Sequence, residues 1–218
     1  MRRFRDRAEA GRLLADALVP LVKPPCVVAA IPRGGVAVAL PVVERLAVPL
    51  TVVYARKLTA PVAPELAFGA LDEDGQMILE DSIVGMLGLS GRDVESARAR
   101  VAAEIARRMA LYRVPPLARF LPGAGVVLVD DGLATGLTMR AALTYARRHG
   151  AREVTVAVPC ASTGAADRFG READHLVSLV TDEDFMAVGA YYEDFSPVPD
   201  AAVVALLERA QRVPTPAP

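Results

Sequence analysis

Val126-Val127-Leu128-Val129-Asp130-Asp131-Gly132-Leu133-Ala134-Thr135-Gly136-Leu137-Thr138 decides the fold. Four apolar residues in a row read as a strand covered on both faces. The strand ends in two adjacent carboxylates. A loop of small and hydroxylated residues follows and enters a helix that closes near His149, with Gly150 as its C-terminal cap. In open α/β sheets, loops at the carboxyl ends of parallel strands bind ligands. Gly136 lets the backbone approach an anion, the free N–H groups at the helix start point toward it, and Thr135 and Thr138 add hydroxyl donors. Asp130 and Asp131 can accept hydrogen bonds from vicinal hydroxyls about one sugar away. A phosphate monoester beside a ribose diol is the ligand this chemistry suggests. The plainer alternative is a strand-to-helix turn with solvated acids at its top.

Working toward the N-terminus, Asp6 can cap a helix with Gly11, Leu14, Leu18 and Val22 on one face, stopped by Pro24-Pro25. Cys26 to Ile31 is a buried strand. Pro32-Arg33-Gly34-Gly35 is a turn, and a helical stretch follows to Leu46, which Pro41 should kink or divide. Leu50 to Ala55 is a second strand, completing a βαβ unit. Thr59 to Pro64 reads as a loop. Asp72-Glu73-Asp74-Gly75 is a hairpin turn between Leu66–Leu71 and Gln76–Leu79. Ser90 and Asp93 form a capping box that opens an Arg-rich helix to about Tyr112, with Val94, Ala97, Val101, Ile105 and Met109 as its apolar face. Its interleaved acids make it a solvated or subunit-contacting helix.

Toward the C-terminus, Val154 to Val158 and His175 to Val180 are further strands. Ser162 to about Arg171 and Pro199 to Gln211 are helices, and Val213 to Pro218 is a frayed tail. The class is α/β: a mostly parallel twisted sheet with helices on both faces. The 218 residues suit one domain. At 53% hydrophobic and 23% charged residues the chain can bury a large core, which excludes disorder. A net charge of −1 argues against a dedicated nucleic-acid binder. No apolar run approaches the roughly 20 residues that span a bilayer, and no signal-peptide core is visible, so the expected location is cytoplasmic. Cys26 and Cys160 read as buried thiols.

The Val126–Thr138 stretch resembles the phosphoribosyl pyrophosphate signature of the type I phosphoribosyltransferases. The likeness extends to the first βα turn, which holds pyrophosphate in that family and is here Arg33, Gly34 and Gly35 after Pro32. Several members carry a non-proline cis peptide in that turn, which places one at Pro32–Arg33. The family also has a basic residue after the second strand. Arg56 and Lys57 stand there, and Lys57 is one of only two lysines in the chain. Leu66 to Ala70 is similar to uncharacterised predicted members.

The resemblance implies one domain with a core over about 24–180, a mobile loop over about 59–83, and a small hood from about 159–218 that includes the N-terminal helix, 6–22. It implies transfer of ribose 5-phosphate from phosphoribosyl pyrophosphate to a nitrogen nucleophile such as a nucleobase, with release of pyrophosphate. Residues 134–138 (Ala134, Thr135, Gly136, Leu137, Thr138) would take the 5-phosphate. Arg33, Gly34, Gly35 and Arg56 would take pyrophosphate, and Asp130, Asp131 and Lys57 would act at the sugar. Mg2+ would be held mainly through the substrate, with Asp130 or Asp131 reaching it through water. A homodimer is compatible with this; a membrane or nucleic-acid partner is not expected. Oxopurine enzymes carry an aspartate where Ala134 stands, which looks more like an adenine-type loop and moves any acid–base role elsewhere. Glu65 is the candidate, with an exposed loop carboxylate as its alternative. Tyr191, Tyr192 and Phe195 either stack on the acceptor or pack the last helix. The rival function is a non-catalytic sensor that binds the same sugar phosphate.

Overall fold

The computed structural model describes residues 3–60 and 63–214. The chain runs α1 (Arg7–Leu18), β1 (Cys26–Ala30), α2 (Gly34–Leu46), β2 (Leu50–Val52), β3 (Arg56–Ala60), β4 (Ala63–Leu71), β5 (Met77–Leu79) and α3 (Asp81–Met86). It continues through α4 (Gly91–Tyr112), β6 (Gly125–Val129), α5 (Leu137–Arg148), β7 (Glu153–Ser162), α6 (Thr163–Glu172), β8 (His175–Asp182) and α7 (Asp200–Ala210).

Five strands form a parallel sheet in the order β2-β1-β6-β7-β8. Side chains alternate along each strand. Val28 and Ala30 of β1 and Val127 and Val129 of β6 point into one core with Leu14, Leu18, Val36, Val43 and Leu207. Val27, Ala29, Val126 and Leu128 point into the other, with Leu137, Ala142, Tyr145 and Phe169. Helices α1, α2 and α7 thus cover one face, and α5 and α6 the other. The chain leaves β1 toward β2 in one direction and leaves β6 toward β7 in the opposite one. The order reverses between β1 and β6, and a crevice opens above their carboxyl ends, the usual ligand position in such sheets.

Several expectations need correction. Helix α2 runs unbroken through Pro41. Its apolar residues on both sides of the proline are buried, and their burial outweighs the roughly 3 kcal/mol an internal proline costs. On α4 the buried seam is Ala97, Val101, Ile105, Arg108 and Tyr112. Met109 is 38% exposed. Successive four-residue steps advance about 40° beyond a full turn, so by 109 they have left the face, and the seam returns by a three-residue step to 108.

The stretch expected as a loop from Thr59 is largely strand. β3, β4 and β5 form an antiparallel sheet of their own, with Arg56 opposite Leu71 and Gly69 opposite Leu79. It buries Leu58, Ala60, Phe68, Ala70 and Leu71. Small residues at 60, 67, 69 and 70 hid this apolar face in the sequence. Pro61 and Val62 of that expected loop, and residues 215–218 of the expected tail, lie outside the described residues.

Candidate active site

Asp130 and Asp131 leave β6 at the crevice. The N–H of Asp131 donates to Asp130 Oδ1 at 2.8 Å. The loop beyond is sewn to its neighbours. Leu133 N–H donates to Cys160 O at 2.8 Å, and Ser162 N–H to Leu133 O at 2.9 Å. The Ser162 hydroxyl donates to Ala134 O at 2.8 Å, and Arg168 Nη1 to Thr135 O at 3.4 Å. Beyond Leu133, the N–H groups of 134–136 have no acceptor among the described residues. Gly136 has φ of 77° and caps that helix. A Cβ there would lie 2.5 Å from the Phe169 ring. The constraint on this glycine is therefore the left-handed backbone and the ring beneath it, where the sequence alone pointed to the anion's own space.

The turn after β1 stands opposite. The Pro32–Arg33 peptide is cis. A side chain on Gly34 would run into the Asp131 carboxylate, and a Cβ on Gly35 would lie 2.7 Å from Val129 O and 3.1 Å from Asp130 Cα. These two glycines let the turn and the two acids come together.

A cleft of about 950 Å³ opens between these elements, walled by Arg33, Arg56, Lys57, Asp130, Asp131 and Thr138. A pocket of about 140 Å³ follows the loop from Asp130 to Met139. A third, of about 390 Å³, lies on the loop's other flank, where Glu65 of β4 faces Ala134, Thr135 and Ser162. Lys57 lines all three. Among the described residues its ammonium makes no ion pair, and its charge lowers the proton affinity of Asp130. Even so, the Asp130 carboxyl is held well above the ordinary carboxylate range, first by burial and then by the charge of Asp131.

The structure thus brings together the acids, the loop at 134–138, the turn at 32–35, Arg56 and Lys57, with Glu65 one pocket away. It sets Tyr191 and Tyr192 in a cluster with Phe4, Ala10 and Cys160, so neither ring faces the three cavities. Tyr192 reaches the site only through its hydroxyl, which donates to Asp131 O at 2.6 Å. Cys160 is fully buried and Cys26 partly so. Burial pushes their thiols up to about 12 and about 11, which makes neither a ready nucleophile.

The face of α4 that carries Arg100, Glu104 and Arg107 also walls the large cleft. Sequence reasoning missed these residues because the helix reads as a solvated, charge-paired one. Their four-then-three spacing is the signal that they share a face. Arg100 Nη2 donates to Thr59 O at 2.7 Å, tying α4 to the end of β3. Glu104 pairs with Arg107 and Arg108 and lies 3.9 Å from Arg56. The hydrogen bond from Arg107 leads in holding its carboxyl down at about 2.

The sequence model described as "Phosphoribosyl transferase domain" matches residues 12–193. The chain belongs to the phosphoribosyl transferase family. Two curated proteins of Mycobacterium tuberculosis, each named "Putative phosphoribosyl transferase", are 42% identical to it over 212 residues, which is 97% of this chain and 48% of theirs. The chain therefore spans about half the length of the curated relatives it matches. TT1426 from Thermus thermophilus, a solved structure, is 44% identical with a TM-score of 0.76, covering 95% of this chain and 98% of that one. A hypothetical protein from Neisseria gonorrhoeae, solved with bound ppGpp, shares the fold at a TM-score of 0.52 and 17% identity, covering 96% of this chain and 98% of its own.

The family implies Mg2+. Among the described residues no group of three or more His, Cys, Asp or Glu side chains could cage a metal ion. What the chain offers is two carboxylates lining both the large cleft and the pocket along the 130–139 loop, which fits the usual binding of Mg2+ by one or two carboxylates and substrate phosphates. No described helix is long and apolar enough to cross a membrane.

Proposed function

We propose that this chain transfers the ribose 5-phosphate of phosphoribosyl pyrophosphate to a nitrogen nucleophile, a nucleobase by preference, and releases pyrophosphate. The observation that carries this is the convergence of two sequence-distant stretches on one crevice: the run from the acids at 130–131 through the loop at 134–138, and the turn at 32–35. The N–H groups of 134–138 receive the 5-phosphate, with the Thr135 and Thr138 hydroxyls. Asp130 and Asp131 hold the ribose. Arg33, Arg56, Lys57 and the backbone of Gly34 and Gly35 receive the pyrophosphate.

The C1–O bond to pyrophosphate breaks, the N–C1 bond forms, and the nucleophile gives up its proton. The transition state gathers positive charge on the sugar and negative charge on the leaving group. Fixed acids beside the one and fixed cations beside the other lower that barrier. When bound, Mg2+ supplies further charge stabilisation to the phosphates, held through them and by Asp130 or Asp131 through water. Glu65 is the candidate acceptor of the nucleophile's proton, since no described group donates to its carboxylate and Ala134 offers none. Of the hood expected over about 159–218, the end of β7 and all of β8 pair into the parallel sheet, so the hood of this single domain is read as the N-terminal helix with the segment after β8.

The test is a screen of nucleobases with phosphoribosyl pyrophosphate and Mg2+, read by pyrophosphate release. Base-dependent release supports the transferase. Tight sugar-phosphate binding with no turnover on any base supports the sensor. Absence of binding defeats both.

A further inference from the structure

Arg7 is the first residue of α1, far in sequence from both anion loops, yet it reaches the sugar site. Its Nε lies 2.9 Å from Asp131 Oδ2, and the two side chains are only 11% and 16% exposed. Its Nη1 donates to Ser196 O at 2.9 Å. The guanidinium stands 4.0 Å over the Phe195 ring and 5.9 Å from that of Tyr192. Tyr192 in turn donates to the Asp131 carbonyl. Asp131 is thus gripped at its side chain and at its backbone by segments from the two ends of the chain.

The carboxylate oxygens show what this grip leaves. Asp130 Oδ1 takes the N–H of Asp131, and Asp131 Oδ2 takes Arg7. Among the described residues nothing donates to Asp130 Oδ2 or Asp131 Oδ1. No buried side-chain oxygen there lacks a partner, so these two are open to solvent. Each acid spends one oxygen on the protein and keeps one for a ligand. Two single acceptors on neighbouring residues match two neighbouring hydroxyls.

We propose that Arg7 is a positioning residue that makes this site selective for a sugar carrying both vicinal hydroxyls, by holding Asp131 Oδ2 and so aiming Oδ1 at the second hydroxyl. The inference rests on the phosphoribosyl reading and extends it to a residue outside the signature. Without Arg7, the Asp131 carboxylate next to a second acid would turn toward water. Arginine suits the task because its planar fork engages Asp131, Ser196 and the Phe195 face at once, which a lysine ammonium cannot do.

Calorimetric titrations of wild type, Arg7→Met and Arg7→Lys with ribose 5-phosphate, 2-deoxyribose 5-phosphate and inorganic pyrophosphate test this. Wild type should prefer the ribose form. Arg7→Met should lose about 10–100-fold in affinity for ribose 5-phosphate, the range for a charge-assisted hydrogen bond, and change little toward the other two ligands. Arg7→Lys should fall between, and it carries the comparison if Arg7→Met does not fold. Asp131→Asn should give the same selective loss, with no further loss in the double variant. Equal losses for all three ligands would reduce Arg7 to a structural role and overturn the proposal. A gain in ribose 5-phosphate affinity would overturn it too, since Arg7 would then be blocking the acid. A wild-type protein that binds pyrophosphate and neither sugar phosphate overturns the inference together with the phosphoribosyl reading.

Discussion

Asp72-Glu73-Asp74 and Asp130-Asp131 are both acidic runs at strand ends, and the protein treats their oxygens differently. At the hairpin tip, Asp72 Oδ1 accepts the N–H groups of Asp74 and Gln76, and its Oδ2 accepts Arg148. Glu73 accepts the Tyr145 hydroxyl at 2.7 Å and the Tyr54 N–H at 3.0 Å. Asp74 Oδ2 lies 2.7 Å from both Arg148 Nη2 and His149 Nε2. Only Asp74 Oδ1 has no described partner. These acids staple the antiparallel sheet, whose β3 carries Lys57 and whose β4 carries Glu65, onto the C-terminal end of α5. At the crevice the protein uses one oxygen of each acid and, among the described residues, leaves the other without a partner in a cavity that Lys57 also lines. An acidic run whose oxygens are filled from within is a staple; one whose oxygens are left open is free to take a ligand, which is the role proposed for Asp130 and Asp131.

The comparison can be broken or sharpened from both sides. The largest effect should come from the loop next to the open acids. Gly136→Val meets the Phe169 ring and a left-handed backbone, so sugar-phosphate binding should be lost beyond detection and Tm should fall. Normal ligand binding in that variant would remove the loop from the account. Glu65→Gln keeps size and removes the carboxylate. We expect kcat to fall about 10²–10⁴-fold with sugar-phosphate affinity intact. An unchanged kcat leaves Glu65 as a surface residue.

Asp72→Ala should lower stability by about 2–3 kcal/mol, because it strips partners from two backbone N–H groups and one face of Arg148. Ligand affinity should change far less than stability, as denaturant titration beside calorimetry would show. Asp130→Asn should do the reverse. The folded state raises the Asp130 pKa, so in the pH window between the unfolded and folded values it holds a proton that the unfolded chain has released. Stability is therefore fully present below the unfolded pKa and declines as pH rises through the window up to the folded value. The asparagine variant escapes that decline and should equal or exceed wild type in stability near neutral pH while binding sugar phosphate more weakly. The smallest effect is expected at Glu73. Its carboxyl is also raised, first by burial and against the pull of its two hydrogen bonds. The sign is the same, so the stability of Glu73→Gln relative to wild type should improve slightly from pH 4 to pH 8. A fall over that range would mean that the Tyr54 and Tyr145 bonds outweigh burial.

Much of the crevice was legible in the sequence because it is built from consecutive residues. A continuous apolar strand, two acids and a Gly-containing loop fall on one turn of chain, and parallel-sheet topology dictates where such a turn sits. The capping box at Ser90 and Asp93 is equally local and is present as read. What was hidden depends on contacts between distant segments. The pairing of β3 with β4, outside the hairpin that the sequence marks at 72–75, buries a face of alanines and a glycine too small to register as an apolar stripe. Arg100, Glu104 and Arg107 look like any solvated helix until the cleft lies against them. Arg7 gains its meaning only when the ends of the chain fold over β6. Tyr192, left between stacking and packing in the sequence, packs its ring among Phe4, Cys160 and Phe195 and reaches the crevice through its hydroxyl.

A crystal structure with phosphoribosyl pyrophosphate bound tests the central claim most directly. The 5-phosphate should lie against the N–H groups of 134–138, the ribose hydroxyls on Asp130 Oδ2 and Asp131 Oδ1, and the pyrophosphate between the Arg33–Gly35 turn and Arg56. A sugar phosphate seated elsewhere, or one whose hydroxyls leave those two oxygens to water, would contradict it.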